Sequence, residues 1–328
     1  MTEGIANDLR DVVKALSRYV ETGFVVQRTE YGFESTLIGK PESSRVKPLE
    51  KLRSCNAKFV GVDCSTRTLK RANNWAVYLL RVAYAIVEKR EVDWGYTEKI
   101  RALIGTAYTR HRTLRNLRFK IESETALNLT EKLSSGDYIL LDGASYFGEK
   151  TGFHVSLYEV CRRKGINLLA ISKQSPTLHD ANGRDFQATV QLIASYPIWV
   201  YHPVVKANLK KHLYGDVSIV KLCEGCARTF RCDVMAYVTD REIAEILSPL
   251  TSISEDPRCL GYPIPLWLAH EFSGTSDSKL LYHYEQVESL LKEAGFYDRL
   301  RREELACSFA DELHGVRYPF EREWIGYI

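Results

Sequence analysis

Two stretches decide the fold: Lys58-Phe59-Val60-Gly61-Val62-Asp63 and Tyr138-Ile139-Leu140-Leu141-Asp142-Gly143. Each is a short apolar run ending in an acid, the pattern of a buried strand reaching its polar tip. Outward from the first, the polar turn over 70–74 and the apolar run over 75–87 complete a hairpin. Residues 97–134 read as helix, broken near Gly105. Outward from the second, residues 153–164 carry a helical stripe, and 166–171 form another buried strand ending at Lys173. Further strands are expected at 198–205 and 217–222. Strands alternating with helices after an opening hairpin predict an α/β fold, a mixed sheet flanked by helices. Upstream, Ile5, Leu9, Val12, Val13, Leu16 and Val20 recur at the helical period and predict a helix over 4–21. Residues 22–57, punctuated by Gly39 and Pro41, read as a connector. The expected organisation is thus a helical extension and connector over 1–57 and the main domain over 58–328.

Composition narrows the class. With 45% hydrophobic and 27% charged residues, the 328-residue chain is neither disordered nor collagen-like. No uninterrupted apolar run is long enough to cross a bilayer, and the first ten residues lack an apolar export core, so a cytoplasmic protein is expected. The 45 basic and 42 acidic residues leave a net charge of +3, too weak to retain nucleic acid by bulk electrostatics. Distribution is more telling. Arg110, Arg112, Arg115, Arg118 and Lys120 crowd one segment with no acid among them, and Lys206, Lys210, Lys211 and His212 form a second cluster. Either is a phosphate track or a solvated helix face. Cys223, Cys226 and Cys232 are the only tight cysteine group, open to zinc (with Cys259 as a distant fourth ligand), to a disulfide, or to reduced thiols as the default. No phosphate-binding P-loop is present, so the chain is not expected to power translocation.

The chemistry is expected at the strand ends, where ligands of α/β sheets gather. Asp63 and Asp142, on neighbouring strands, would be half-desolvated and costly unless paired or metal-bound. Oxygen ligands of this kind suit Mg²⁺ or Mn²⁺. The alternative is that each acid caps a turn.

The order Asp63-Cys64-Ser65, Leu141-Asp142-Gly143, Ala170-Ile171-Ser172-Lys173, then Gly261-Tyr262-Pro263 leading to Leu268-Ala269-His270-Glu271, resembles the NurA nucleases. These are archaeal and bacterial DNA-end-processing enzymes with an RNase H-like core related to the PIWI domain. The resemblance spans roughly residues 58 to 325. It departs at Cys64, where the family usually has Gly, and at Ala144, where Ser is usual, which bears on turn geometry more than on the carboxylates. It implies a Mn²⁺- or Mg²⁺-dependent deoxyribonuclease with two ions, held by Asp63, a helical acid, Asp142 and His270. Lys173 would contact the scissile phosphate and Tyr262 would orient substrate. For the helical acid, Glu122 shares a stripe with Ala126, Leu129 and Leu133 and is preferred over Glu124. The resemblance further implies 5′–3′ exonuclease action on single- and double-stranded DNA, single-strand endonuclease action, and a role in double-strand-break end resection. It implies a homodimer and a partner, the hexameric ATPase HerA. Arg112, Arg115 and Arg118 are the candidate DNA-binding wall. Two other readings stand beside it: an RNase H-like nuclease of another lineage, PIWI- or resolvase-like, and an inactive DNA-binding subunit that retains the fold.

Overall fold

The computed structural model describes residues 36–89, 91–143, 152–173, 178–295 and 297–321; the helix expected over 4–21 and Ala144 lie outside them. In chain order the elements are β1 (Thr36–Leu37), β2 (Val46–Pro48), β3 (Lys58–Arg71), β4 (Trp75–Glu88) and β5 (Glu91–Ile104), then α1 (Ala107–Leu129), β6 (Tyr138–Asp142), α2 (Gly152–Lys164), β7 (Asn167–Ser172) and β8 (Leu178–His179). There follow α3 (Phe186–Ile193), β9 (Trp199–Val205), β10 (Gly215–Lys221), β11 (Phe230–Met235), α4 (Ile243–Thr251), α5 (Ile264–Ser273), α6 (Asp277–Glu293) and α7 (Tyr297–Leu313). The chain divides into two compact units. Of the described residues, one unit takes those within 56–142, 152–168 and 264–321; the other takes those within 36–55, 143 and 169–263.

In the first unit the strand order is β6-β3-β4-β5, with β3 parallel to β6 and antiparallel to β4, and β4 antiparallel to β5. This is a mixed sheet with helices on it, as the strand and helix alternation implies. The β3–β4 hairpin stands where expected, but β3 is longer: it runs past Asp63 to Arg71. Residues 58–63 therefore do not end a strand. Asp63 lies mid-strand because β4 pairs with β3 along its whole length, matching Asp63 to Ala83. What ends near Asp63 is β6, whose last pairing is Leu141 with Val62.

Residues 97–104 also depart from the expected helix. They belong to β5, which pairs with β4 from Glu88–Glu91 to Trp75–Ile104. The alternation Val92, Trp94, Tyr96 was the available signal, obscured by charges between the apolar positions. The helix begins only after Gly105, at φ +132°, and Thr106 caps it by accepting from the Thr109 N–H.

Gly61 has a clear reason to be glycine. A Cβ there would lie 2.6 Å from the Leu266 nitrogen and collide with the Pro265 carbonyl, so α5 rests on the bare backbone of β3. Gly61→Ala is expected to lift α5 and cost roughly 1–3 kcal/mol, by the usual penalty for overpacking. Urea denaturation of the variant measures this; unchanged stability would show that α5 has room to spare.

In the second unit β2-β9-β10-β11-β7 is antiparallel throughout, and β1 pairs with β8 in parallel. Residues 46–48, inside the expected connector, supply β2. The unit's core gathers Phe186, Val190, Trp199, Tyr201, Val217 and Ile219. Each such side chain, fully removed from water, contributes about 1.5–3 kcal/mol. β11 carries Arg231 and Asp233 inside an otherwise apolar run, and the sequence pattern had not singled it out.

Candidate active site

Asp63, Glu122, Asp142 and His270 all belong to the first unit, and the fold brings them together from β3, α1, β6 and α5. In the parallel β3–β6 pair, Asp63 and Asp142 each follow the last matched residues, Val62 and Leu141. They therefore stand side by side on adjacent strands, roughly 4.8 Å apart at the backbone. Beyond this step β3 loses its β6 partner, and the Cys64 N–H needs an acceptor. Two carboxylates supply it: Asp63 Oδ1 at 2.8 Å and Glu122 Oε1 at 3.1 Å. One amide thus holds two acids at bonding distance from itself.

Asp63 is 4% exposed. Its other oxygen, Oδ2, lies 2.7 Å from His270 Nδ1 and 3.5 Å from the Ser273 hydroxyl. Ser65, one β3 alternation further, donates to the Ser273 carbonyl, so the last turn of α5 is pinned to β3 at two points. His270 itself is exposed. With Nδ1 turned to Asp63, its Nε2 is the ring nitrogen that can face a cation or a phosphate.

Glu122 is nearly buried, whereas Glu124 is half-exposed and pairs with Lys120 at 3.8 Å. Burial is the main cause that pushes the Glu122 carboxyl up; Arg118 pulls it back, Asp63 and Asp142 push again, and it settles at about 8. Arg118, one helical turn before Glu122, puts its guanidinium 3.6 Å from Glu122 and 3.8 Å from Asp63. The i, i+4 spacing of Arg118 and Glu122 was readable in the sequence, but it pointed to the helix surface rather than to the acids. Burial also raises the Cys64 thiol, helped by Glu122, so Cys64 stays protonated there.

Asp63 and Glu122 thus flank one guanidinium, with Asp142 on the neighbouring strand. The carboxyl-oxygen and imidazole donors of Asp63, Glu122, Asp142 and His270 are of the kind that suits a hard divalent cation such as Mg²⁺ or Mn²⁺. Among the described residues, no three such donors already converge on one point.

Lys173 and Tyr262 belong to the other unit, with the Lys173 ammonium 5.8 Å from the Tyr262 ring and Tyr262 packed on Phe230. Arg112 and Arg115 are exposed on α1, while Arg110 is buried and donates to the Asn73 and Gly105 carbonyls. Lys206, Lys210 and Lys211 are exposed in the second unit. None of the described cysteines forms a disulfide, and Cys223, Cys226, Cys232 and Cys259 are buried. No described helix is long and apolar enough to cross a membrane.

No protein-family model matches the sequence, and no curated protein matches it. Solved structures do. The NurA nuclease from Sulfolobus solfataricus is 17% identical with a TM-score of 0.63, over 90% of this chain and 98% of that one. A crystal structure of NurA with manganese is 12% identical with a TM-score of 0.55, over 88% and 98%. Another NurA structure is 11% identical, with the same TM-score over 92% and 99%. The chain therefore has the NurA fold, an RNase H-like mixed sheet flanked by helices.

Proposed function

We propose that this chain is a divalent-cation-dependent deoxyribonuclease that trims DNA ends. The observation that carries the reading is the Cys64 amide shared by Asp63 and Glu122, one strand from Asp142 and capped by His270. Asp63, Glu122, Asp142 and His270 would hold the metal, with Mn²⁺ suggested by the manganese in a NurA structure of the same fold. A bound pair of ions would activate the attacking water and stabilise the departing oxygen of a phosphodiester. The chain's own residues prepare for this. The Cys64 N–H fixes the two carboxylates on one side of β3, and His270 holds Asp63 in place through Nδ1. Arg118 supplies positive charge on the side where an anionic phosphate must approach. Lys173 would contact the scissile phosphate, Tyr262 would orient substrate, and Arg112 and Arg115 would track the backbone.

Resemblance to the NurA nucleases supports the finer reading: 5′–3′ digestion of single- and double-stranded DNA, single-strand endonuclease action, and end resection in the cytoplasm. It also supports a homodimer acting with HerA, and assignment of 58–328 as the nuclease domain. The modest +3 charge agrees with a nuclease that relies on enclosure or a partner to retain DNA.

End-labelled single- and double-stranded DNA incubated with the chain and Mn²⁺ or Mg²⁺ should be degraded, and excess EDTA should stop the reaction. Metal should also raise Tm, because it binds the folded chain alone. Full activity in EDTA, or none with either ion, would overturn the reading.

A further inference from the structure

Tyr96 of β5 pairs with Ala83 of β4, and Ala83 pairs with Asp63 of β3; the next row is Trp94, Ala85 and Gly61. Directly paired residues project from the same face of a sheet. Trp94 and Tyr96 therefore rise from the face that carries Asp63, two strand spacings or roughly 10 Å away. On that face Gly61, Ala83 and Ala85 leave room for α5. The last turn of α5 reaches both flanks, since residues two apart point to opposite sides of a helix. His270 goes to Asp63, while Phe272 goes to Trp94, with the rings 4.4 Å apart and 27° from parallel. Tyr96 continues the row at 6.4 Å and 18° from Trp94. The result is a column of three rings ending beside the acidic site.

These rings are not core. Trp94 is 50% exposed and Tyr96 is 42% exposed, on the edge strand of the unit. Arg81 and Lys279 stand over Tyr96 at 4.4 and 4.9 Å, and both pair with Glu98, two cations on one acid. The patch is aromatic and accessible, with the half-exposed Lys279 ammonium beside it, a combination that suits unpaired bases through their faces and a phosphate through charge.

We propose that Phe272, Trp94 and Tyr96 form a stacking platform for single-stranded nucleic acid, which positions an unpaired end at Asp63. The inference rests on the nuclease reading for its purpose, but the binding it asserts needs no catalysis. Bases in a duplex are covered by their neighbours, so the platform favours single strands and frayed ends.

The test uses the full chain in EDTA, where cleavage is suppressed, with a labelled thymidylate oligonucleotide and a blunt duplex as probes. Trp94→Ala should weaken oligonucleotide binding at least about fivefold and duplex binding much less. Trp94→Phe, which keeps a ring, should retain most of the affinity, and it serves as the control for folding. The drop in tryptophan fluorescence on adding oligonucleotide should shrink in Trp94→Phe. Unchanged oligonucleotide affinity in Trp94→Ala overturns the platform. So does a fall from dimer to monomer by sedimentation in that variant, which assigns the edge to a second copy of the chain. If the wild type cleaves DNA and Trp94→Ala binds normally, the platform alone fails. If oligonucleotide binding depends on Trp94 but no metal supports cleavage, the nuclease reading fails and the platform stands.

Discussion

Asp63→Asn is expected to reduce DNA cleavage at least about a hundredfold while leaving the chain folded. Residues that merely support metal ligands already cost roughly 10–100-fold when lost, and Asp63 is itself the central acid of the site. The amide is nearly the same size as the carboxylate, and its oxygen can still accept from the Cys64 N–H, which Asp63 holds at 2.8 Å. What it loses is charge: the repulsion on Glu122 falls, as does the attraction for Arg118 and for any cation. Single-turnover cleavage of a labelled strand, read with Tm, separates the two effects. A variant within a few-fold of wild type would remove Asp63 from the chemistry.

Glu122→Gln is expected to do two opposite things. Cleavage should fall by a comparable factor, whereas Glu124→Gln, on the exposed side of α1, should leave it nearly intact. In metal-free buffer, however, the Glu122→Gln variant should be the more stable chain at alkaline pH. The Glu122 carboxyl titrates at about 8 in the folded chain against an ordinary value of 4.5. Folding therefore takes up a proton between these values. The stability tied to the neutral acid is complete below 4.5 and is lost as pH rises through about 8. Glutamine carries no such proton, so the variant should lack that slope and gain on the order of a few kcal/mol near pH 9. Urea midpoints of both chains in EDTA between about pH 5 and 9 measure it. Parallel curves would show that Glu122 is as solvated as Glu124.

The sequence reading succeeded where burial writes itself into composition. Residues 138–141 and 168–171 are continuous apolar runs, and each is the buried body of a strand. Glu122 could be separated from Glu124 because its stripe includes Ala126 and Leu129, which are buried. The reading failed where an element is half-exposed. β5 keeps its alternation, but Glu91, Asp93, Lys99 and Arg101 occupy its other positions, and a charged edge strand looks like a helix. The polar run Cys64-Ser65-Thr66-Arg67 hides the continuation of β3 past Asp63; hydrogen bonding to β4 carries the strand on regardless. The link between Arg118 and the acids, and the shared Cys64 amide, depend on tertiary geometry that no local pattern encodes.

The bond between Asp63 and His270 joins residues 207 positions apart. The meander of β3, β4 and β5 closes through neighbouring segments, so it can form early as the chain leaves the ribosome. Glu122 and Asp142 follow soon after, but α5 arrives last. Until residues 264–273 are made and seated against Gly61, the carboxylates have no histidine and no Ser273 clasp to hold them. Synthesis therefore sets a delay on the cluster: a chain that stops before residue 264 carries the acids without the group that fixes them. The order of the chain itself thus fixes when the four side chains can meet.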